Sequence, residues 1–124
     1  MNVVLDFFRR LKWRTIWSWA GIKLAWVEEH SFRSWVWANF ASAGFAFLLP
    51  LTSGERALIL ALGVLVLASE AFNTAIERAV DYISEDEHHL AGQAKDAGSA
   101  GVFLTAIAAG IAWVVILYRI YLST

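Results

Sequence analysis

The stretch LGVLVLASEAFNTAIERAVDYI, residues 62–83, starts as an apolar membrane span and then acquires polar side chains on one side. At about 100° of rotation per residue, these side chains fall within about 100° of one helix face: Glu70, Asn73, Thr74, Glu77 and Asp81. An ionisable group near the centre of a membrane helix costs about 2.5–3.5 kcal/mol. The stretch therefore predicts a membrane helix with a polar track that enters from one end and stops at Glu70.

Two interpretations of this polar face compete. A lone Asn or Thr in a membrane helix usually serves to hydrogen-bond a neighbouring helix. Three aligned carboxylates without a lysine on their face repel one another unless a cation arrives, which favours a functional site. Carboxylate oxygens suit Mg²⁺, which typically takes one or two of them together with phosphates and water. The sequence has no Walker A motif, no soluble-kinase glycine-rich loop and no HExxH motif, so phosphate chemistry here would not use those architectures.

The composition indicates a small polytopic membrane protein of one domain, residues 1–124. Of its 124 residues, 59% are hydrophobic and the mean hydropathy is +0.55, whereas a soluble domain is about 45–50% apolar. The net charge of −1 gives no global field that points to nucleic acid. The absence of cysteine excludes disulfides and thiolate metal sites.

The N-terminal segment, residues 1–30, alternates basic and aromatic residues without a long apolar run. Trp13, Trp17, Ala20 and Leu24 follow helical spacing and form one stripe. Aromatic residues at headgroup level, flanked by cations, are typical of a helix that lies on the membrane surface. No uninterrupted apolar region follows the basic residues, so we do not expect a cleavable signal sequence.

Three membrane spans are predicted after the surface helix, at residues 32–51, 56–83 and 99–122, with a polar loop at 84–98 between the last two. Each is near the roughly 20 residues needed to cross a bilayer. Six of the ten Lys and Arg residues lie in the first 33 positions, which predicts a cytoplasmic N-terminus. Three spans then place the polar loop on the cytoplasmic side and the C-terminus outside.

The polar loop and the end of the surface helix contain further candidates. Lys95 and Asp96 directly precede the third predicted span, where a lysine offers a charge for phosphate or extends toward the membrane interface. For Glu85, Glu87 and His89, a solvated connection is equally well supported. The pair Glu28–Glu29 ends the surface helix, and periodicity does not show whether Glu29 approaches Glu77.

Four stretches of the chain resemble a known family, the small bacterial integral-membrane diacylglycerol kinases. EAFNTAIERAVD (70–81) followed by HHLAGQAKDAGSA (88–100) is similar to the signature region of that family. GIKLAWVEEHSFR (21–33) and SGERALI (53–59) are similar to segments upstream of it. The resemblance extends without gaps from about residue 10 to the C-terminus.

The resemblance implies a homotrimer of chains with one surface helix and three spans, which uses Mg-ATP to phosphorylate a lipid hydroxyl at the cytoplasmic face of the inner membrane. It implies that Glu70 binds the lipid hydroxyl as general base, with Asn73 supporting the site. Glu29 and Glu77 correspond to ligands of the metal and of ATP. Further nucleotide contacts are implied for Arg10, Trp17, Asp86, Glu87, His88, Lys95 and Asp96, and lipid contacts for Arg33, Arg56, Ser99 and Trp113.

The expected reaction is conversion of diacylglycerol to phosphatidic acid, a step of phospholipid metabolism and lipid recycling. An undecaprenol kinase of the same family is the first alternative. An ion-conducting oligomer would also use intramembrane carboxylates, but it needs a polar path through the apolar run Ala57–Ala68. A structural assembly protein would not need Lys95 and Asp96.

Overall fold

The computed structural model describes residues 2–124, and this part of the chain forms four α-helices. They are α1 (Val3–Glu28), α2 (His30–Leu48), α3 (Ser53–Ile83) and α4 (His89–Leu122). The all-helical class predicted from the sequence is confirmed. Met1 lies outside the described residues.

Two of the four helices are long and apolar enough to cross a membrane. They are α3, with 31 residues, and α4, with 34. At about 1.5 Å per residue, each exceeds the roughly 30 Å of a hydrocarbon core. Within residues 2–124, α2 is not among the helices that qualify by length and composition. Two of the three predicted spans are therefore supported on these grounds.

The predicted polar loop at 84–98 is wrong over most of its length, because α4 begins at His89 and not at Ser99. Nδ1 of His88 accepts a hydrogen bond from the backbone N–H of Leu90 at 3.1 Å and caps the new helix. The segment after it is rich in alanine with leucine, glutamine and lysine, which favour helix, and its two glycines are tolerated. Lys95, Asp96 and Ser99 consequently lie on the first turns of α4.

Helix α3 begins at Ser53, three residues before the predicted Arg56, because a capping box starts it. The Thr52 hydroxyl accepts from the backbone N–H of Glu55 at 3.2 Å, and the Glu55 carboxylate accepts from that of Thr52 at 2.8 Å. Arg119 of α4 donates to both oxygens of the same carboxylate, at 2.6 and 2.8 Å. This ion pair joins the start of α3 to the end of α4.

The corner between α1 and α2 consists of one residue, Glu29, in an extended conformation with φ −107°. Arg33, in α2, donates from Nη1 to the carbonyl oxygens of Trp26 and Val27 at 2.7 and 3.0 Å. A cationic side chain on the last free carbonyls stabilises a helix C-terminus. Arg33 thus fixes the direction in which α2 leaves α1.

The apolar core is small and lies toward the end of the bundle where α3 begins. It comprises five buried residues from α2, α3, α4 and the α2–α3 connection: Ala46, Leu51, Ile59, Ala112 and Ile116. Nearer the middle, α2 and α3 approach closely at Gly63, where a Cβ atom would lie 1.9 Å from Oδ1 of Asn39. Helix α3 is central, because it packs against both α2 and α4.

Many large apolar side chains remain uncovered on all four helices. Phe72 of α3 is 71% exposed and Phe103 of α4 is 66% exposed. Exposed apolar surface of this extent needs lipid or further protein to cover it. The stripe of Trp13, Trp17 and Leu24 on α1 is also exposed, as a helix on a membrane surface requires.

We expect Ile116→Ala to lower the unfolding free energy by about 2–5 kcal/mol, because it opens a cavity in the core. Ile116 is 3% exposed, whereas its neighbour Val115 is 62% exposed, so Val115→Ala is the matched control. Unfolding by SDS in mixed micelles measures both. Equal losses in the two variants would contradict this placement of the core.

Candidate active site

Glu70 is the innermost acid of the predicted polar face and is almost fully buried. It is 5% exposed and Thr74, one turn further along α3, is 6% exposed; they are the two buried polar residues within positions 2–124. Oε2 of Glu70 accepts a hydrogen bond from Oγ of Ser31 at 3.1 Å. The first turn of α2 therefore covers this carboxylate.

Asn73 and Glu77 follow on the same face, toward the end of α3. Nδ2 of Asn73 faces Oε1 of Glu77 at 3.4 Å, a long contact. Oδ1 of Asn73 is buried and has no hydrogen-bond partner among the described residues. Gly98 of α4 permits this arrangement, because a Cβ there would lie 2.4 Å from that oxygen. The site thus holds a buried acceptor oxygen whose hydrogen-bonding capacity is unmet by these residues.

Arg78 joins the end of α1 to α3. Its Nη2 donates to Oε2 of Glu28 and, at 3.4 Å, to Oε1 of Glu29. Arg78 follows Glu77 directly in the chain, so this contact brings Glu29 to the level of Glu77. Within the described part of the chain, no three acidic or histidine side chains form a group that could hold a metal. Two carboxylates are sufficient for Mg²⁺ when phosphate oxygens and water complete its shell.

Lys95 is paired with the outermost acid of the face. Its Nζ donates to Oδ1 of Asp81 at 2.6 Å, which ties the first turns of α4 to the last turns of α3. Both side chains are about half exposed, at 40% and 47%. The pair leaves the lysine side chain partly exposed.

The short connection between α3 and α4 forms one wall of a cleft of about 520 Å³. Four of the residues implied in nucleotide contacts line it: Asp86, Glu87, His88 and Lys95. Asp96 is exposed on the adjacent turn of α4. The chain thus brings most of the predicted nucleotide residues to one place, beside Asp81.

Arg10 and Trp17, the other two residues implied in nucleotide contacts, lie outside this cleft. They line a separate depression of about 270 Å³ on α1, where the rings of Trp13 and Trp17 stack with centroids 6.2 Å apart. Among residues 2–124, no hydrogen bond joins this depression to the cleft of Asp86 and His88.

The residues implied in lipid contacts are also dispersed, and three of them hold helix ends or helix pairs together. Arg33 caps α1, as described above. Arg56 donates from Nε to the carbonyl oxygen of Ala46 at 2.8 Å, about 21 Å along α3 from Glu70. Nε1 of Trp113 donates to Oγ of Ser42 at 2.9 Å. Ser99 follows Gly98 and is exposed near the level of Asn73.

An apolar groove of about 810 Å³ lies between α1, α2 and α3, and Glu70 is not among its lining residues. Ala68 and Ala71, on either side of Glu70 in the sequence, belong to its wall. The remaining wall is mainly aromatic and aliphatic, with Trp19, Ile22, Trp26, Phe32, Phe40 and Val64. The sequence does not predict this groove, because its residues come from three helices without a shared period.

Two side chains of the site were also missed. On a helical wheel, Arg78 lies about 80° from Glu70, beside the polar face, so the wheel contained a signal for it. Ser31 has no such signal, because its contact with Glu70 joins positions 39 residues apart.

Comparison with known proteins decides the family. The model of the prokaryotic diacylglycerol kinase family matches residues 16–117. The chain belongs to this family. It is 38% identical to a diacylglycerol kinase of Escherichia coli (strain K12) over 101 residues, which cover 82% of this chain and 83% of the relative. It is 39% identical to one of Pseudomonas aeruginosa over 109 residues, 88% of this chain and 89% of the relative.

A more distant relative, a diacylglycerol kinase of Helicobacter pylori, is 33% identical over 116 residues, 94% of this chain and 91% of the relative. The resemblance drawn from the sequence motifs is therefore confirmed. The protein is a bacterial membrane kinase that acts on an alcohol group.

We expect Gly98→Ala to lower kcat by about tenfold or more, because its Cβ displaces the Asn73 side chain. Gly101→Ala is the matched control, since nothing lies within 4 Å of a Cβ at that position. Steady-state assays of both variants in lipid micelles measure the effect. A normal kcat in Gly98→Ala would show that α4 does not hold Asn73 in place.

We expect Arg78→Gln to raise the KM for ATP by about two- to fivefold, since Glu29 is no longer held against α3 and an exposed ion pair is weak. Arg119→Gln breaks an arginine pair at the far end of the same helices and serves as control. A similar rise in both variants would point to a general loss of packing.

Proposed function

We propose that this chain transfers the γ-phosphoryl group of ATP to the primary hydroxyl of diacylglycerol and releases phosphatidic acid. The observation that carries the proposal is Glu70, a buried carboxylate on the same face of α3 as Asp81, which lines the charged cleft. The names of the relatives support the choice of lipid. The four helices together form the single kinase domain.

Glu70 acts as the general base in this proposal. It accepts the proton of the lipid hydroxyl while the hydroxyl oxygen attacks the γ-phosphorus and the bond from that phosphorus to the leaving ADP oxygen breaks. Phosphoryl transfer depends on positioning and charge stabilisation more than on covalent participation of the protein. Asn73 supports the site with its free oxygen.

The residues at the outer end of the face fit a hard divalent cation. Glu29 and Glu77 offer carboxylate oxygens, and Oδ1 of Asn73 is an orphaned acceptor nearby. We propose that these two carboxylates hold Mg²⁺, which neutralises phosphate charge when bound. Lys95 adds a positive charge beside the phosphates. Glu28 makes the shorter of the two contacts of Arg78 and is not part of the proposed metal site.

The nucleotide enters from the cleft at the α3–α4 connection. Its contacts are proposed with Asp86, Glu87, His88, Lys95 and Asp96. Arg10 and Trp17, on a separate part of α1, complete this set if a second chain supplies them or α1 closes over the cleft. A homotrimer is proposed because of the family resemblance, and the large uncovered apolar faces support it.

The lipid approaches from the opposite side of Glu70. The apolar groove suits acyl chains, and its wall includes Ala68 and Ala71, which flank Glu70 in the sequence. Ser99 is a further proposed contact. Arg33, Arg56 and Trp113 already make hydrogen bonds within the chain. Their proposed contacts with the lipid must be compatible with those hydrogen bonds.

The membrane topology is proposed as a surface helix and three crossings in the inner membrane. Helix α2, with 19 residues, is about 28 Å long and would serve as the first crossing. The basic α1 supports a cytoplasmic N-terminus, which puts the α3–α4 connection and its cleft on the side where ATP is present.

The proposal is tested by ATP-dependent labelling of diacylglycerol and of undecaprenol in lipid–detergent micelles, with an ATP-only blank. We expect diacylglycerol to be labelled.

Glu70→Gln should lower kcat by about 10²–10⁴-fold, the usual contribution of a general base, with nucleotide binding retained. Glu77→Gln should weaken Mg-ATP binding, and Glu55→Gln, at the far end of α3, should do neither.

Labelling of undecaprenol alone would move the proposal to the other lipid. Labelling of neither lipid would exclude the kinase reaction, and normal turnover by Glu70→Gln would remove Glu70 from its role.

A further inference from the structure

The hydrogen bond from Ser31 to Glu70 is the one side-chain hydrogen bond that Glu70 makes within residues 2–124. Oγ of Ser31 lies 3.1 Å from Oε2. The contact crosses from the first turn of α2 to the middle of α3. The acceptor of this hydrogen bond is the carboxylate that the proposed reaction uses, and not one of the outer acids.

We infer that Ser31 is a positioning residue that holds the Glu70 carboxylate ready to accept the proton of a lipid hydroxyl. This inference rests on the proposed function. By occupying Oε2, the serine hydroxyl fixes the rotation of the carboxylate and leaves Oε1 for the substrate.

The surroundings of Ser31 make it a rigid donor. Phe32, the next residue, is 5% exposed and anchors the first turn of α2. Arg33 binds the last carbonyls of α1 and fixes the angle of the corner. The carboxylate also lies beside the N-terminal end of α2, where the helix dipole favours negative charge. A small displacement of a catalytic group lowers the rate strongly, so a fixed donor at this point affects turnover.

A purely structural role makes a different prediction. If the contact only joined α2 to α3, its loss would lower stability and leave kcat unchanged. A positioning role lowers kcat with little change in the KM for ATP, because Ser31 touches neither Glu77 nor the cleft of Asp86 and His88. A donor of the same kind at this position should restore the rate.

Ser31→Ala, Ser31→Thr and Ser34→Ala form the test set. Ser34 is the matched control, one turn further along α2, where its hydroxyl donates to the carbonyl oxygen of His30 at 3.1 Å. We expect Ser31→Ala to lower kcat by about 10- to 100-fold, since a hydrogen bond to a charged group is lost. The KM for ATP should stay within about twofold of the wild-type value. Ser31→Thr should recover most of the rate.

A double variant separates this inference from the proposed function. In the Glu70→Gln background, Ser31→Ala should cause no further loss, because the group that it positions is gone. A wild-type kcat in Ser31→Ala, or an equal loss in both backgrounds, would overturn the role of Ser31 while Glu70 stays the base. Normal turnover in Glu70→Gln would overturn the proposed base itself. Ser31→Cys, which has the same shape and a weak donor, provides the measurement if Ser31→Ala does not fold, and a wild-type kcat there would also refute the role.

Discussion

A carboxylate almost removed from water is the constraint on which the rest of this structure depends. Burial of an ionised group is unfavourable unless hydrogen bonds or opposite charges compensate it. Glu70 sits in the middle of α3, and the one hydrogen bond that its side chain makes within residues 2–124 comes from the first turn of α2. The position of that turn depends on the one-residue corner at Glu29, and the corner depends on Arg33. The sharp break between α1 and α2 therefore has a direct physical link to the acid in the membrane helix.

The two ends of the bundle differ in how fully their polar groups are hydrogen-bonded. At the end where α3 begins, Thr52 and Glu55 cap the helix, Arg119 pairs with Glu55, and Arg56 binds the carbonyl oxygen of Ala46. At the other end, Oδ1 of Asn73 has no partner within the described residues. Natural proteins leave local requirements unmet mainly at functional sites. The contrast supports the proposed position of the site, at the end that carries the acids.

Periodicity was sufficient for the polar face of α3, because that face depends on one helix and a rotation of about 100° per residue. Hydropathy found α3 and α4 for the same reason, since each is a continuous run. It fails at the start of α4, because the polarity of residues 89–98 predicts a loop although their helix propensity is high. Polar residues indicate contact with water and do not by themselves indicate a loop. At the start of α4 the helix continues beyond the apolar region.

Contacts between distant positions could not be predicted from one sequence. The pairs Ser31–Glu70 and Arg78–Glu28 join residues 39 and 50 positions apart. Motif resemblance also assigned Arg33 and Arg56 to the lipid, yet in the structure both guanidinium groups hold helix ends. A motif preserves residue type and position, but several physical roles are compatible with the same arginine.

In the proposed reaction, the location of Glu70 lets one helix serve two substrates of opposite polarity. An acyl lipid dissolves in an apolar environment, whereas a nucleoside triphosphate dissolves in water. The two must therefore meet where an apolar surface adjoins a charged one. In the proposed reaction that boundary is Glu70, since Ala68 and Ala71, which flank it in the sequence, belong to the groove wall, and the face toward Glu77 and Asp81 is acidic. A base at Glu77 would be partly exposed, and one a turn deeper than Glu70 would lie in the apolar run Ala57–Ala68. The proposed function therefore accounts for the cost of burying this carboxylate.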